Sequence, residues 1–302
     1  MCGIAALQVR SAALRPQMGS LLTGMLCQII ERGPDSAGMA VYDNPDLVTS
    51  GLATLSVLDT GLGITDADLE RLLGESLPAG GEARVREIGD TTLISAQVDA
   101  GTLAGAVSAG YPGIVVAGRG EHVTVMKSVG NPQDVARRHG LEGMFGTQGL
   151  SHTRMATESA VTAAGSHPFA VADDLCLVHN GSFSNHASVR RELKRLGVDF
   201  DSENDTEVGA RYVAHRLASG DDLETALTNL GKVLDGFYTL VVTTATSMAI
   251  VRDPIACKPA IVAESAEYVA IASEFRALAH LPGIESARIF EPEPGRVYTW
   301  EL

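Results

Sequence analysis

Cys2 directly follows Met1, and a small second residue permits trimming of the initiator methionine. Trimming would leave Cys2 with a free α-amine, whose ordinary pKa is roughly 7.7–8.0. Near neutral pH an appreciable share of that amine is unprotonated and can take the thiol proton, directly or through a water. One residue would then supply both a nucleophile and its base. Further along lie side chains of the kinds that bind or polarise: Arg154, Thr157, the Asn180-Gly181 pair and Asp205. Each has a plainer local meaning. Arginine is mostly solvated, Asn-Gly is a strong hairpin-turn signal, and an Asp ahead of a helical pattern commonly caps it. His152 and His179 would suit a Cys–His dyad, which an N-terminal cysteine carrying its own amine does not need.

The other cysteines offer little chemistry. Cys27 and Cys176 lie in apolar runs, and Cys257 stands beside Lys258. No CxxC pair or histidine at ligand spacing accompanies them, which disfavours a metal site and a disulfide framework and fits a reducing cytoplasm. The 302 residues are 45% hydrophobic and 20% charged, enough to bury a sizeable core. A formal charge of -14, with basic residues scattered, argues against a nucleic-acid partner. The first residues lack the basic-then-apolar pattern of a secretory signal. The most apolar later stretch, Phe237 to Val251, is too short to span a bilayer.

The elements that must hold these residues follow from periodicity. A strand is expected over Gly3 to Val9, then an amphipathic helix from Pro16 to about Glu31, on which Leu21, Leu22, Met25, Leu26, Ile29 and Ile30 recur at helical spacing. A Gly-Pro-Asp-Ser turn at Gly33 to Ser36 leads into a strand Ala37 to Tyr42. The pattern then repeats as a strand Leu175 to His179, a turn at Asn180-Gly181, a helix from about Asn185 to Leu196, and another helix starting at Asp205 or Thr206. Strands Tyr238 to Thr244, Met248 to Arg252, Ala260 to Ala263 and Tyr268 to Ala272 follow with short punctuation between them, which suggests antiparallel sheet. Helices flanking such strands indicate an α+β layered fold. The Gly- and Ala-rich stretch from residue 44 to about 121 carries no assignable motif and reads as an embellishment of a single domain spanning residues 1–302.

Five segments occur in a telling order: Cys2-Gly3-Ile4, then Arg32-Gly33-Pro34-Asp35-Ser36-Ala37-Gly38, Ser151-His152-Thr153-Arg154-Met155-Ala156-Thr157, His179-Asn180-Gly181, and Asn204-Asp205-Thr206-Glu207. Together they resemble the class II glutamine amidotransferase domain of amidophosphoribosyltransferase, glutamine–fructose-6-phosphate aminotransferase and glutamate synthase. That resemblance implies a four-layer αββα sandwich of the N-terminal-nucleophile (Ntn) hydrolase type, with two antiparallel sheets. It implies Cys2 as nucleophile, Asn180 and Gly181 as the oxyanion hole, Arg154 and Thr157 as the clamp on the glutamine α-carboxylate, and Asp205 as the partner of its ammonium. Arg32 would support the nucleophile's strand, with Pro34 and Asp35 shaping the turn beside it. The loop from Arg154 to Gly165 would close over substrate, although Met155 replaces the aromatic residue common in relatives and Glu158 a small one.

Neither GxxxxGK nor GxGxxG follows these motifs, nor does a phosphoribosyltransferase or sugar-isomerase region. The ammonia acceptor is therefore expected on another polypeptide. Among stand-alone members, the opening segment and the Arg32 to Tyr42 run look most like the amidotransferase-like subunits of N-methylglutamate synthase. This implies glutamate-synthase-like partner subunits carrying FMN and an iron–sulfur centre, and no cofactor in this chain. The expected activity is hydrolysis of glutamine to glutamate and ammonia through a Cys2 thioester. The alternative is a non-catalytic subunit that binds glutamine or glutamate to regulate or assemble such a synthase.

Overall fold

A computed structural model describes residues 2–58, 63–155 and 161–302. In chain order the first part contains β1 (Gly3–Val9), α1 (Met18–Cys27), β2 (Ser36–Tyr42), β3 (Ala53–Leu58), α2 (Asp66–Leu73), β4 (Ala83–Ile88), β5 (Thr91–Ala96), α3 (Ala100–Gly110), β6 (Val116–Gly120), β7 (Val123–Val129), α4 (Pro132–Arg138) and β8 (Gln148–Arg154). The second part contains β9 (Phe169–Ala172), β10 (Leu175–Phe183), α5 (His186–Arg195), α6 (Asp205–Ala218), α7 (Leu223–Val233), β11 (Gly236–Thr243), β12 (Ser247–Arg252), β13 (Ile261–Glu264), β14 (Tyr268–Ala272), β15 (Arg288–Phe290) and β16 (Val297–Glu301). The strands form a seven-stranded sheet in the order β15-β13-β14-β1-β8-β2-β7, a five-stranded sheet β16-β12-β11-β10-β9, and a four-stranded sheet β4-β5-β3-β6.

Strand periodicity sorts the side chains into layers. On β1, Ala5, Leu7 and Val9 face α1 and join Leu22, Met25 and Leu26 in one cluster, whereas Ile4 and Ala6 turn inward. There they meet Cys176 and Val178 of β10 and Val241 of β11, so the first two sheets pack face to face. The opposite face of β10, with Leu177 and Phe183, packs on α6 and α7 through Val208, Val213 and Leu230. The architecture is thus an αββα sandwich with antiparallel sheets, as the resemblance implied.

Residues 44–121, which carry no motif, supply the third sheet together with α2 and α3 and a cluster of their own, including Leu55, Leu69, Ile94 and Leu103. This sheet covers the β7 edge of the first: Ser56 Oγ accepts from the Val125 N–H at 2.8 Å. Asp174, at a positive φ of 53°, accepts from the backbone of His122 and Val123 and ties the β9–β10 turn to the same corner.

Two sequence expectations need correction. The helix expected over Pro16 to Glu31 is α-helical only from Met18 to Cys27, with 3₁₀ turns at Arg15–Gln17 and Ile30–Arg32. The Gln28 N–H bonds back to the Met25 carbonyl, which tightens the end. The second 3₁₀ turn brings Arg32 to the start of β1, where its Nε donates to the Cys2 carbonyl at 2.9 Å.

The expected turn at Asn180-Gly181 does not exist. β10 runs straight through the pair, with Asn180 opposite Thr239 and Gly181 opposite Tyr238. The glycine serves close strand packing instead of reversal: at its φ of 141°, a Cβ would lie 1.9 Å from the Phe237 carbonyl oxygen.

Candidate active site

Register brings the first pair of candidate residues together. β1 and β8 are antiparallel neighbours with Gly3 opposite Thr153, so the next pair outward is Cys2 and Arg154, at one end of the sheet. Ser36 of β2 lies on the other side of Arg154, and the Asp35 N–H bonds to the Arg154 carbonyl at 3.1 Å, which fixes the backbone from which that guanidinium projects. Arg154 is 8% exposed. Cys2 is partly exposed, with Sγ 4.0 Å from the Met155 carbonyl.

The facing sheet supplies the second pair. Asn180 shares the inward parity of Cys176 and Val178, and its Nδ2 donates to the Cys2 carbonyl at 3.1 Å and to Ser273 Oγ at 3.2 Å. Ser273 also accepts from the Ile4 N–H at 2.9 Å. The residue carrying the nucleophile is therefore held by Arg32 and Asn180, and Ile4, two residues on, by Ser273. The Arg32 guanidinium is itself paired with Glu274 at 2.7 Å.

Ladder parity fixes where the Gly181 N–H points. His179 N donates to His167 Nδ1 and Phe183 N to Asp205 Oδ2, both on the side of β10 away from β11. Gly181 lies midway between them, so its N–H leaves the sheet on the same side.

Asp205 completes the set. Asn204 is the residue that caps α6, its Oδ1 accepting from Thr206 N at 2.9 Å, so the capping role open to Asp205 in the sequence is already filled. Asp205 Oδ2 holds the Phe183 N–H at 2.9 Å, leaving Oδ1 near Thr206 and His179. Cys2, Arg154, Asn180, Gly181 and Asp205 all line one open cleft of about 1020 Å³. Thr157 and Glu158 lie outside the described residues.

The wall of the same cleft carries a group that sequence reading missed as a unit, His152, His167 and His179 with Thr206. His152 Nε2 donates to Asn180 Oδ1 at 3.0 Å and lies 3.3 Å from the His179 carbonyl, and its Nδ1 has no partner among the described residues. His167 Nε2 and His179 Nδ1 each lie 3.0 Å from Thr206 Oγ1. The bonded nitrogens of His152 and His179 are directed at these partners, and among the described residues their other nitrogens make no hydrogen bond to the Cys2 thiol. Burial pushes all three imidazoles down, His152 to about 3, so each is neutral at physiological pH. In that state His152 acts as a donor that orients the Asn180 amide with its NH₂ toward Cys2.

A stability consequence follows from the sign of these shifts. Unfolded imidazoles take up protons as pH falls through about 6.5, while the folded ones resist until lower pH. Between those limits the unfolded state binds more protons, so stability drops as pH falls. Urea denaturation at pH 7.5, 6 and 5 should show a decreasing midpoint. A midpoint that held constant or rose toward pH 5 would contradict neutral burial.

A family model described as a glutamine amidotransferase domain matches residues 152–280. The glutamine amidotransferase-like protein GlxB of Rhizobium meliloti is 48% identical over 302 residues, covering all of this chain and 98% of GlxB. The chain belongs to the class II glutamine amidotransferase family. The amidophosphoribosyltransferase of Methanocaldococcus jannaschii is 30% identical over 61% of this chain and 41% of that protein. The solved glutamine phosphoribosylpyrophosphate amidotransferase of B. subtilis superposes with a TM-score of 0.60 at 18% identity, over 99% of this chain and 47% of that one. The chain thus spans under half the length of these two larger family members, whereas it matches GlxB end to end.

Proposed function

We propose that this chain is a glutaminase subunit. With Met1 removed, the Cys2 thiol attacks the side-chain amide carbonyl of glutamine, its proton passing by way of the α-amine to the leaving nitrogen. Ammonia departs, a γ-glutamyl thioester remains on Sγ, and water hydrolyses it to glutamate and restores the thiol. The convergence of Cys2, Arg154, Asn180, Gly181 and Asp205, from four separate segments, on one cleft carries this reading. Arg154 presents the fork suited to an α-carboxylate and Asp205 the charge suited to an α-ammonium. The Asn180 amide and the outward Gly181 N–H are the donors for the tetrahedral oxyanion. Asn180 now donates to Cys2 and Ser273, so one of those bonds yields as negative charge develops. Thr157, as second donor to the carboxylate, and closure of the Arg154 to Gly165 loop belong to the same proposal.

The nitrogen acceptor, in this reading, is on glutamate-synthase-like or N-methylglutamate synthase partner subunits that carry FMN and an iron–sulfur centre, in the cytoplasm. The match over 98% of GlxB, a glutamine amidotransferase-like protein, supports an amidotransferase role for this chain. The four free cysteines fit a reducing compartment. Among the described residues no helix is long and apolar enough to cross a membrane.

Arg154→Lys tests the clamp, because lysine keeps the charge and loses the fork. The glutamine KM should rise by on the order of tenfold to a hundredfold, the loss of about 1.5–3 kcal/mol of charge-assisted binding. An unchanged KM in a glutamate-release assay would remove Arg154 from the binding site.

A further inference from the structure

Lys127 lies outside the chemistry just described, yet it is among the most unusual side chains in the molecule. It sits on β7 opposite Gly38 and is only 4% exposed. Gly38 makes room for it: a Cβ there would fall 2.0 Å from the His167 carbonyl oxygen and 3.1 Å from Lys127 Cγ. Nζ stands 5.0 Å above the Phe169 ring, and among the described residues no carboxylate lies within salt-bridge distance and no acceptor hydrogen-bonds it. Burial draws its pKa down to about 8, which leaves the amine mostly charged at neutral pH. An unpaired buried cation is costly, and an anion that reached it would offset that cost.

A second cavity of about 510 Å³, distinct from the Cys2 cleft, opens onto this side chain. The volume is in the range of small-molecule sites. Its walls include Ile114, Val116, Ala117, Phe169 and Val171. The other cations on the wall already have carboxylates at ion-pair distance: Arg119 has Asp173 at 2.7 Å, and Arg211 has Asp201 and Glu207. Glu207 is also engaged by the Asp201 and Ser202 N–H groups and by the Ser202 hydroxyl. Asp199 stands at the exposed rim. The interior thus offers one buried ammonium that, among the described residues, has no carboxylate at salt-bridge distance, Glu207 acting on it from farther off, and an apolar sleeve around it.

We propose that this cavity is a second ligand site, for a small organic carboxylate whose anion meets Lys127 and whose apolar stem lies against Phe169, Val116 and Ile114. The chain has four lysines, Lys127, Lys194, Lys232 and Lys258, so ε-¹³C-lysine labelling gives a spectrum in which Lys127 can be assigned by substitution.

The full-length protein would be titrated with hexanoate, and with hexanamide as a neutral match. The Lys127 signal should shift saturably with hexanoate and not with the amide. Lys127→Met should weaken hexanoate binding at least tenfold by calorimetry. Ala104→Phe, which fills the cavity from α3 without touching Lys127, should abolish the shift while the Lys127 signal persists. A Lys127 signal unmoved up to the solubility limit of hexanoate, an equal response to hexanamide, or an undiminished response in Ala104→Phe would each overturn the proposal. The wild-type and Ala104→Phe measurements decide even if Lys127→Met does not fold.

Discussion

Cys2→Ala is expected to abolish glutamine hydrolysis, lowering kcat by on the order of 10⁴-fold or more, as loss of a covalent nucleophile does in other enzymes. The fold should survive the change. Cys2 precedes β1 and is partly exposed, and the bonds it makes to Arg32 and Asn180 run through its main-chain carbonyl, which alanine retains. Circular dichroism and urea denaturation should therefore match wild type while glutamate release disappears. Cys2→Ser would be more informative about the base, because its α-amine is intact and only the nucleophile is poorer. Residual turnover above that of Cys2→Ala is expected there. Wild-type turnover in Cys2→Ala would rule out the thioester.

The second large effect is expected at Asn180. Asn180→Asp keeps an oxygen for His152 Nε2 to donate to, but replaces the NH₂ donor by an acceptor carrying negative charge where the oxyanion must form. Loss of one such donor costs on the order of 10²–10³ in kcat elsewhere, and the added charge should place this variant at or beyond the upper figure, with KM little changed. Asn180→Ala separates the two roles of the residue. It should lose a similar factor in kcat and also about 1 kcal/mol of stability, because the buried His152 N–H then keeps only its longer contact to the His179 carbonyl at 3.3 Å. Turnover within tenfold of wild type in Asn180→Asp would show that Asn180 does not polarise the amide.

Much of this arrangement could be read in the sequence, for physical reasons that differ between residues. The strands Gly3–Val9 and Tyr268–Ala272 come out with the bounds their apolar runs indicate, since buried strands show as uninterrupted hydrophobic stretches. The cap of α6 is legible because Asn204, Asp205 and Thr206 act locally.

Asn180-Gly181 misleads for the opposite reason. Its dipeptide chemistry signals a reversal, but the glycine answers a non-local demand, the approach of the Phe237 carbonyl on β11. His152 and His179 stand out singly beside the motifs, whereas His167 carries no signal of its own. Their arrangement depends on β10 and the segment before β9 meeting at Thr206 and on β8 placing His152 against Asn180, which no sequence spacing encodes. The third sheet escaped because β4 is largely exposed and, apart from the tight β4–β5 hairpin, β5 pairs with β3 and β3 with β6 across long separations, so no continuous apolar pattern marks it.

The central claim is that Cys2 is a processed nucleophile in a glutamine-shaped cleft. Intact mass of the purified chain, before and after treatment with the glutamine-analogue electrophile 6-diazo-5-oxo-norleucine, tests it directly, with Cys2→Ala beside it. The account predicts loss of Met1 and a single adduct that is absent from Cys2→Ala. Retained Met1 with no adduct, in the presence of partner subunits, would contradict it and favour a subunit that binds glutamine or glutamate without turnover.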